Sequence, residues 1–140
     1  MKNLFFLIVF LLALNVQTII AQEQTIKKDS VAVKNIPPLG RTKEEAKQLI
    51  ESLRERILKG ESFATLAAQY SEDPGSSKTG GQLSAFGRGQ TVPEFEEIAY
   101  SLKIGEISKV FETKYGFHFM EVLAKEGDKF LARHILLQVK

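Results

Sequence analysis

The sequence predicts an α+β domain in which helices come first and an antiparallel sheet comes last. Three observations carry this reading. Residues 42–57 repeat apolar side chains at helical spacing behind a capping box, and residues 62–70 and 93–102 repeat the pattern. Residues 109–112, 116–123 and 130–139 read as strands. A stretch rich in Gly, Ser and Pro, residues 71–90, separates the second helix from the third.

The chain has 140 residues, room for one domain and a targeting segment. Residues 1–21 read as a secretory signal: Lys2 supplies the positive end, residues 4–14 an unbroken apolar run, and Ile19-Ile20-Ala21 a cleavage site after Ala21. The alternative is an uncleaved membrane anchor, against which Asn15, Gln17 and Thr18 interrupt the run. Export to the periplasm or the medium is therefore expected. One of the 19 basic residues is Lys2, so residues 22–140 carry 18 basic against 17 acidic groups. That balance argues against an electrostatic nucleic-acid footprint. With no cysteine, the domain folds on its core alone and has neither a thiol nucleophile nor a Cys metal site.

Residues 22–41 read as a flexible segment, in which residues 31–33 are a short strand candidate and residues 35–40, with Pro37-Pro38, break regular structure. The domain is expected over 42–140. Thr42 and Glu45 form an S/T-x-x-E box, and Ala46, Leu49, Ile50, Leu53 and Ile57 follow as a stripe that Gly60 ends. Phe63, Leu66, Ala67 and Tyr70 mark a second helix. Residues 71–90 form a loop long enough to suggest function. Pro93 opens a third helix with Phe95, Ile98, Ala99 and Leu102 on its apolar face, and Gly105 ends the turn after it.

The last two strands are expected to form a hairpin. A three-residue loop, residues 125–127, places Gly127 at the left-handed position and pairs Ala124 with Asp128. Counting outward, His118 then faces His134, the only two histidines in the chain. A slip of one residue would separate them onto opposite faces.

Phe63-Ala64-Thr65-Leu66-Ala67, Tyr70-Ser71-Glu72-Asp73, Gly80-Gly81-Gln82-Leu83, Phe86, Pro93-Glu94-Phe95, Gly105-Glu106-Ile107-Ser108 and Tyr115-Gly116-Phe117-His118 occur in this order. Together they resemble the parvulin family of peptidyl-prolyl cis/trans isomerases, over residues 42–123. The resemblance implies a four-stranded antiparallel sheet flanked by helices, no cofactor, and proline-containing unfolded polypeptides as partners. It implies a site in which His118 is the last-strand histidine, Asp73 the loop carboxylate and Thr113 the threonine bonded to the histidines. Leu83, Phe86, Thr91 and Phe95 correspond to the proline pocket, with Thr91 where family members often carry Met. Tyr115 corresponds to a further substrate contact at a position where a small residue is common.

The chain departs from the family at its first strand, which usually carries a histidine in an R-H-I-L motif before the first helix. Here residues 33–37 hold none, and Ala132-Arg133-His134-Ile135-Leu136-Leu137 stands at the other end instead. Two explanations stand. One is a circularly permuted domain in which residues 130–140 supply the first strand and His134 completes the site. The other is the opening strand of a lost second domain, as in tandem-parvulin foldases. A monomer is expected, and exchange of this strand between two chains is a further arrangement.

Several of these residues also have plainer readings. Leu83, Phe86 and Phe95 suit an ordinary core, Asp73 suits a turn before Pro74-Gly75, and a histidine pair suits a satisfied strand contact. No third ligand accompanies the histidines, so no metal is expected. Lys34, Arg41 and Lys43 occupy the region where phosphate-specific parvulins are basic, and read as solvated surface. A folding isomerase, a binding module of the same fold and a foldase fragment are the functions left to distinguish.

Overall fold

The computed structural model describes residues 41–139. The expected leader, its cleavage site, the 31–33 strand and the Pro37-Pro38 break lie outside the described residues.

Helix α1, Lys43–Leu58, starts at the capping box: the Glu45 N–H donates to Thr42 Oγ1 at 3.2 Å, and the Thr42 N–H donates to the Glu45 carboxylate at 2.7 Å. It ends in a Schellman motif, with Gly60 at φ +102° and N–H bonds from Gly60 to Ile57 and from Glu61 to Arg56. Ala46, Leu49, Ile50 and Leu53 are buried, while Ile57 at the last turn is only half-buried. Helix α2, Phe63–Tyr70, is capped by Ser62 and buries Phe63, Leu66 and Ala67. Helix α3, Pro93–Ser101, opens on its proline and buries Phe95 and Ala99.

The sheet contains strands β1, Phe111–Thr113, β2, Gly116–Glu126, and β3, Lys129–Gln138, antiparallel in the order β1-β2-β3. Among the described residues it thus has three strands, not four. β1 lies later than the expected 109–112 because pairing with β2 begins at Phe111 opposite His118. The outer edge of β3 is nevertheless paired. His134, Ala132 and Phe130 exchange backbone hydrogen bonds with Gly81, Leu83 and Phe86, and the Glu72 N–H donates to the Leu136 carbonyl. The 71–86 loop therefore occupies the place of a fourth line. It covers an edge that would otherwise expose unpaired backbone. The approach is close enough that a Cβ on Gly81 would collide with the His134 carbonyl, and one on Gly116 with that of Leu137.

The hairpin differs from the expected one. Its turn is the two residues Gly127-Asp128, with Glu126 opposite Lys129 and positive φ at Gly127 alone, as a type II′ turn requires. This shifts the register by an odd number. A bulge between Val122 and Ala124 shifts it back by one, so the net displacement is even. His134 consequently lies opposite Met120, and His118 opposite Leu136. The histidines are diagonal neighbours rather than a facing pair, but they share a face.

Alternation gives the sheet two buried faces. Phe117, Phe119, Ile135 and Leu137 are buried on one, where Phe119 packs edge-on against Phe63 of α2. Met120, Val122, Phe130 and Ala132 face α3 on the other, in one cluster with Phe86, Phe95, Ala99 and Leu102. His118 and His134 belong to this second face.

Candidate active site

Both histidines are buried, and their rings lie nearly parallel with Nδ1 to Nδ1 at 3.4 Å. His118 Nε2 is 2.8 Å from Thr113 Oγ1, at the end of β1. His134 Nε2 is 2.8 Å from Asp73 Oδ2 in the loop and 3.1 Å from Ser76 Oγ. The Tyr115 N–H donates to Thr113 Oγ1 at 3.1 Å. Phe95 sets its ring edge-on to both imidazoles.

These contacts fix the protons. An ionised Asp73 only accepts, so His134 carries its proton on Nε2. A neutral His134 then accepts at Nδ1, and His118 must donate from its own Nδ1. His118 accepts in turn at Nε2, from the Thr113 hydroxyl. A single direction of donation therefore runs from the Tyr115 amide through Thr113, His118 and His134 to Asp73, and each ring nitrogen along it has a partner.

The electrostatics agree. Burial, then the neighbouring His134, lowers the His118 pKa to about 4. Burial also lowers that of His134, against the opposing pull of the Asp73 carboxylate. Burial works to raise Asp73, but hydrogen bonds from Ser76, His134 and the Gly75 amide outweigh it and lower the carboxyl below its ordinary value. Near neutral pH the site thus holds two neutral imidazoles and one carboxylate. Among the described residues, no group of three or more His, Cys, Asp or Glu is arranged to hold a metal ion.

Above the histidines opens a cleft of about 540 Å³. Leu83, Thr91, Phe95 and Tyr115, all singled out from the sequence, line it together with Asp73 and both rings. Tyr115 is largely exposed at the rim. The Thr91 hydroxyl oxygen is buried without a hydrogen-bond partner among the described residues. Phe86 does not line this cleft. It is buried behind Phe95, stacked on Phe130, and reaches an adjoining groove. Sequence reasoning missed Ser76, which also donates to Asp73 Oδ2, and Leu136, which lines the cleft. Leu136 was reachable by alternation, two residues beyond His134 on the same face. Ser76 was not, because its burial depends on the loop closing over β3.

The family model described as the PPIC-type PPIASE domain matches residues 14–126. The chain belongs to this family. Its PPIC-type domain is 49% identical over 79 residues to the foldase protein PrsA of Geobacillus sp. (strain WCH70), covering 56% of this chain and 29% of that protein. It is 44% identical over 109 residues to the chaperone SurA of Pseudomonas syringae pv. tomato, covering 76% of this chain and 26% of that protein. The chain thus spans less than a third of the length of these curated relatives. The crystal structure of the peptidylprolyl isomerase PrsA from Bacillus cereus superposes with a TM-score of 0.55 at 31% identity, covering 74% of this chain and 48% of that one. Asp73, Thr113 and His118 fall inside the PPIC-type match, which ends before β3 and His134.

Proposed function

We propose that this PPIC-type domain is a peptidyl-prolyl cis/trans isomerase acting on unfolded or partly folded exported proteins. The observation that carries the reading is the buried His118–His134 pair, held between Thr113 and Asp73, at the floor of a cleft with apolar walls.

Rotation about a peptide bond meets a barrier of about 18–20 kcal/mol that comes from amide resonance. A catalyst needs no covalent step; it needs to bind the twisted amide better than the planar one. Leu83 and Phe95 offer apolar walls for the proline ring, Thr91 a smaller wall beside them, and Tyr115 a rim contact. A carboxylate near the substrate carbonyl disfavours the resonance form that puts negative charge on oxygen, and Asp73 lines the cleft as that carboxylate. The neutral histidines, aligned by Thr113, hold Asp73 without cancelling its charge. Phe86 supports Phe95 from behind.

His134 completes the site from the end of the domain opposite to the usual one, which is the circularly permuted reading. In its support, β3 pairs with β2 along its length, takes the loop on its other edge, and buries Ala132, Ile135 and Leu137. Such enclosure is what a strand that completes this domain requires. Action on exported clients is supported by the leader pattern of residues 1–21. Phosphate dependence is disfavoured: among the described residues no Lys or Arg lines the cleft, Arg41 is buried against Glu72 at 2.6 Å, and Lys43 pairs with Glu112 at 2.6 Å.

The test is cis/trans exchange of a plain Ala-Pro peptide, followed by NMR with residues 22–140. Acceleration is expected, and a phosphorylated Ser-Pro peptide should gain nothing over its plain counterpart. Folded protein that leaves the exchange rate unchanged would replace the isomerase by a binding module of the same fold.

A further inference from the structure

Beside the histidine cleft lies a groove of about 830 Å³. The two share Asp73, Leu83, Gln90 and Thr91, so they form one continuous depression. Part of the groove is lined by the loop that pairs with β3. Leu83 and Phe86 donate their N–H groups to the Ala132 and Phe130 carbonyls. Between them, Ser84 and Ala85 are exposed, and their peptide groups form no hydrogen bond with any described residue. Two residues of free backbone at the outermost line of a sheet, next to a groove, are what an extended peptide pairs with in strand addition. Thr79, Gln82 and Gln90 make the lining polar, Asp73 is its one charged side chain, and no cation lines it.

We propose that this groove extends the substrate site. It takes the chain flanking the proline as an extended strand along Ser84 and Ala85, and Asp73 makes it favour basic over acidic flanking residues. The assignment rests on the isomerase reading for the neighbouring cleft. It adds a second contact that a minimal proline peptide does not reach.

The experiment titrates full-length 15N-labelled protein with three peptides. One is a capped Ala-Pro unit, and two carry the same unit extended by three residues on each side, with lysine or glutamate in the extensions. The long peptides should shift the Ser84 and Ala85 amides, whereas the capped unit should shift only residues of the histidine cleft. The lysine peptide should bind about two- to fivefold more tightly than the glutamate one, a difference that shrinks with salt. Ser84→Lys should reverse that order; because the ratio is read, a uniform loss of affinity does not disguise the result. Equal affinities, or long peptides that leave Ser84 and Ala85 unmoved, would overturn the proposal. Exchange kinetics on the same samples separate the two readings. Acceleration without those shifts sinks the groove alone, whereas the shifts without acceleration support the groove and remove the isomerase.

Discussion

His118 and His134 are 3% and 5% exposed and share one sheet face, yet they end on different chemistry. His118 ends on a neutral hydroxyl at the tip of a short strand, beside the tight Thr113-to-Gly116 connection. His134 ends on a carboxylate in a loop, steadied by Ser76 and the Gly75 amide. The difference shows how two identical rings acquire fixed and unequal roles. The carboxylate end sets which way the protons point, because it alone cannot donate. The hydroxyl end adapts, because it can do either.

The comparison can be broken most severely by removing one side of it. Residues 22–129 lack β3, and with it Phe130, Ala132, Ile135, Leu136 and Leu137 from the core. This shortened chain is expected to lose cooperative unfolding altogether, as seen by circular dichroism on heating. A stable, active 22–129 protein would put the first strand elsewhere and return β3 to a lost neighbour.

Acid is the next largest lever. His118 titrates near 6.5 when unfolded and at about 4 when folded, so between these values the unfolded chain binds the extra proton. Stability therefore falls as pH drops through that window, by on the order of 2–3 kcal/mol from this group. His134 and Asp73, both lowered on folding, act with the same sign, His134 below its ordinary value of 6.5 and Asp73 further down. Urea unfolding at pH 7 and pH 4.5 measures the drop, and His118→Gln should flatten it.

Substitution at the two ends sharpens the contrast. Asp73→Ala leaves the buried His134 N–H with Ser76 alone and is expected to cost about 2 kcal/mol, in the range for bonds to a charged group. Thr113→Val removes a neutral donor from His118 and should cost about 1 kcal/mol, with Thr113→Ser largely restored. Equal losses at the two ends would contradict the asymmetry. The finest test changes no stability at all: 15N shifts of the imidazoles near pH 7.5 should show His118 protonated at Nδ1 and His134 at Nε2. The opposite tautomers would reverse the direction of donation.

Much of this arrangement was legible in the chain, and the illegible parts have physical reasons. Thr42, Glu45 and Gly60 announce both ends of α1 because capping is a local interaction. The pairing of the histidines was foreseen from hairpin arithmetic whose turn was wrong. Gly127 satisfies either a three-residue or a two-residue turn, and the bulge after Val122 has no signature in its residues. Two odd displacements left an even net shift, so the shared face survived while the facing pair did not. The fourth line of the sheet was hidden for a different reason. Residues 81–86 have loop composition, and they pair with β3 only because Gly81 lets the two backbones approach. Phe86 reads as a pocket wall by its place in a loop, but its ring turns inward to Phe130, a contact made across 44 residues of chain.

The position of β3 between β2 and the loop has a consequence for how the protein is made. It follows every other described element, yet both its edges and both its faces are occupied. A nascent chain emerging from its N-terminus can form α1 and α2 early, but the sheet and the histidine site must wait until residues 129–138 have appeared. Pairings of long sequence separation are slow to close and leave apolar surface open meanwhile. Synthesis can therefore proceed with the polypeptide still loose until β3 arrives and locks the domain.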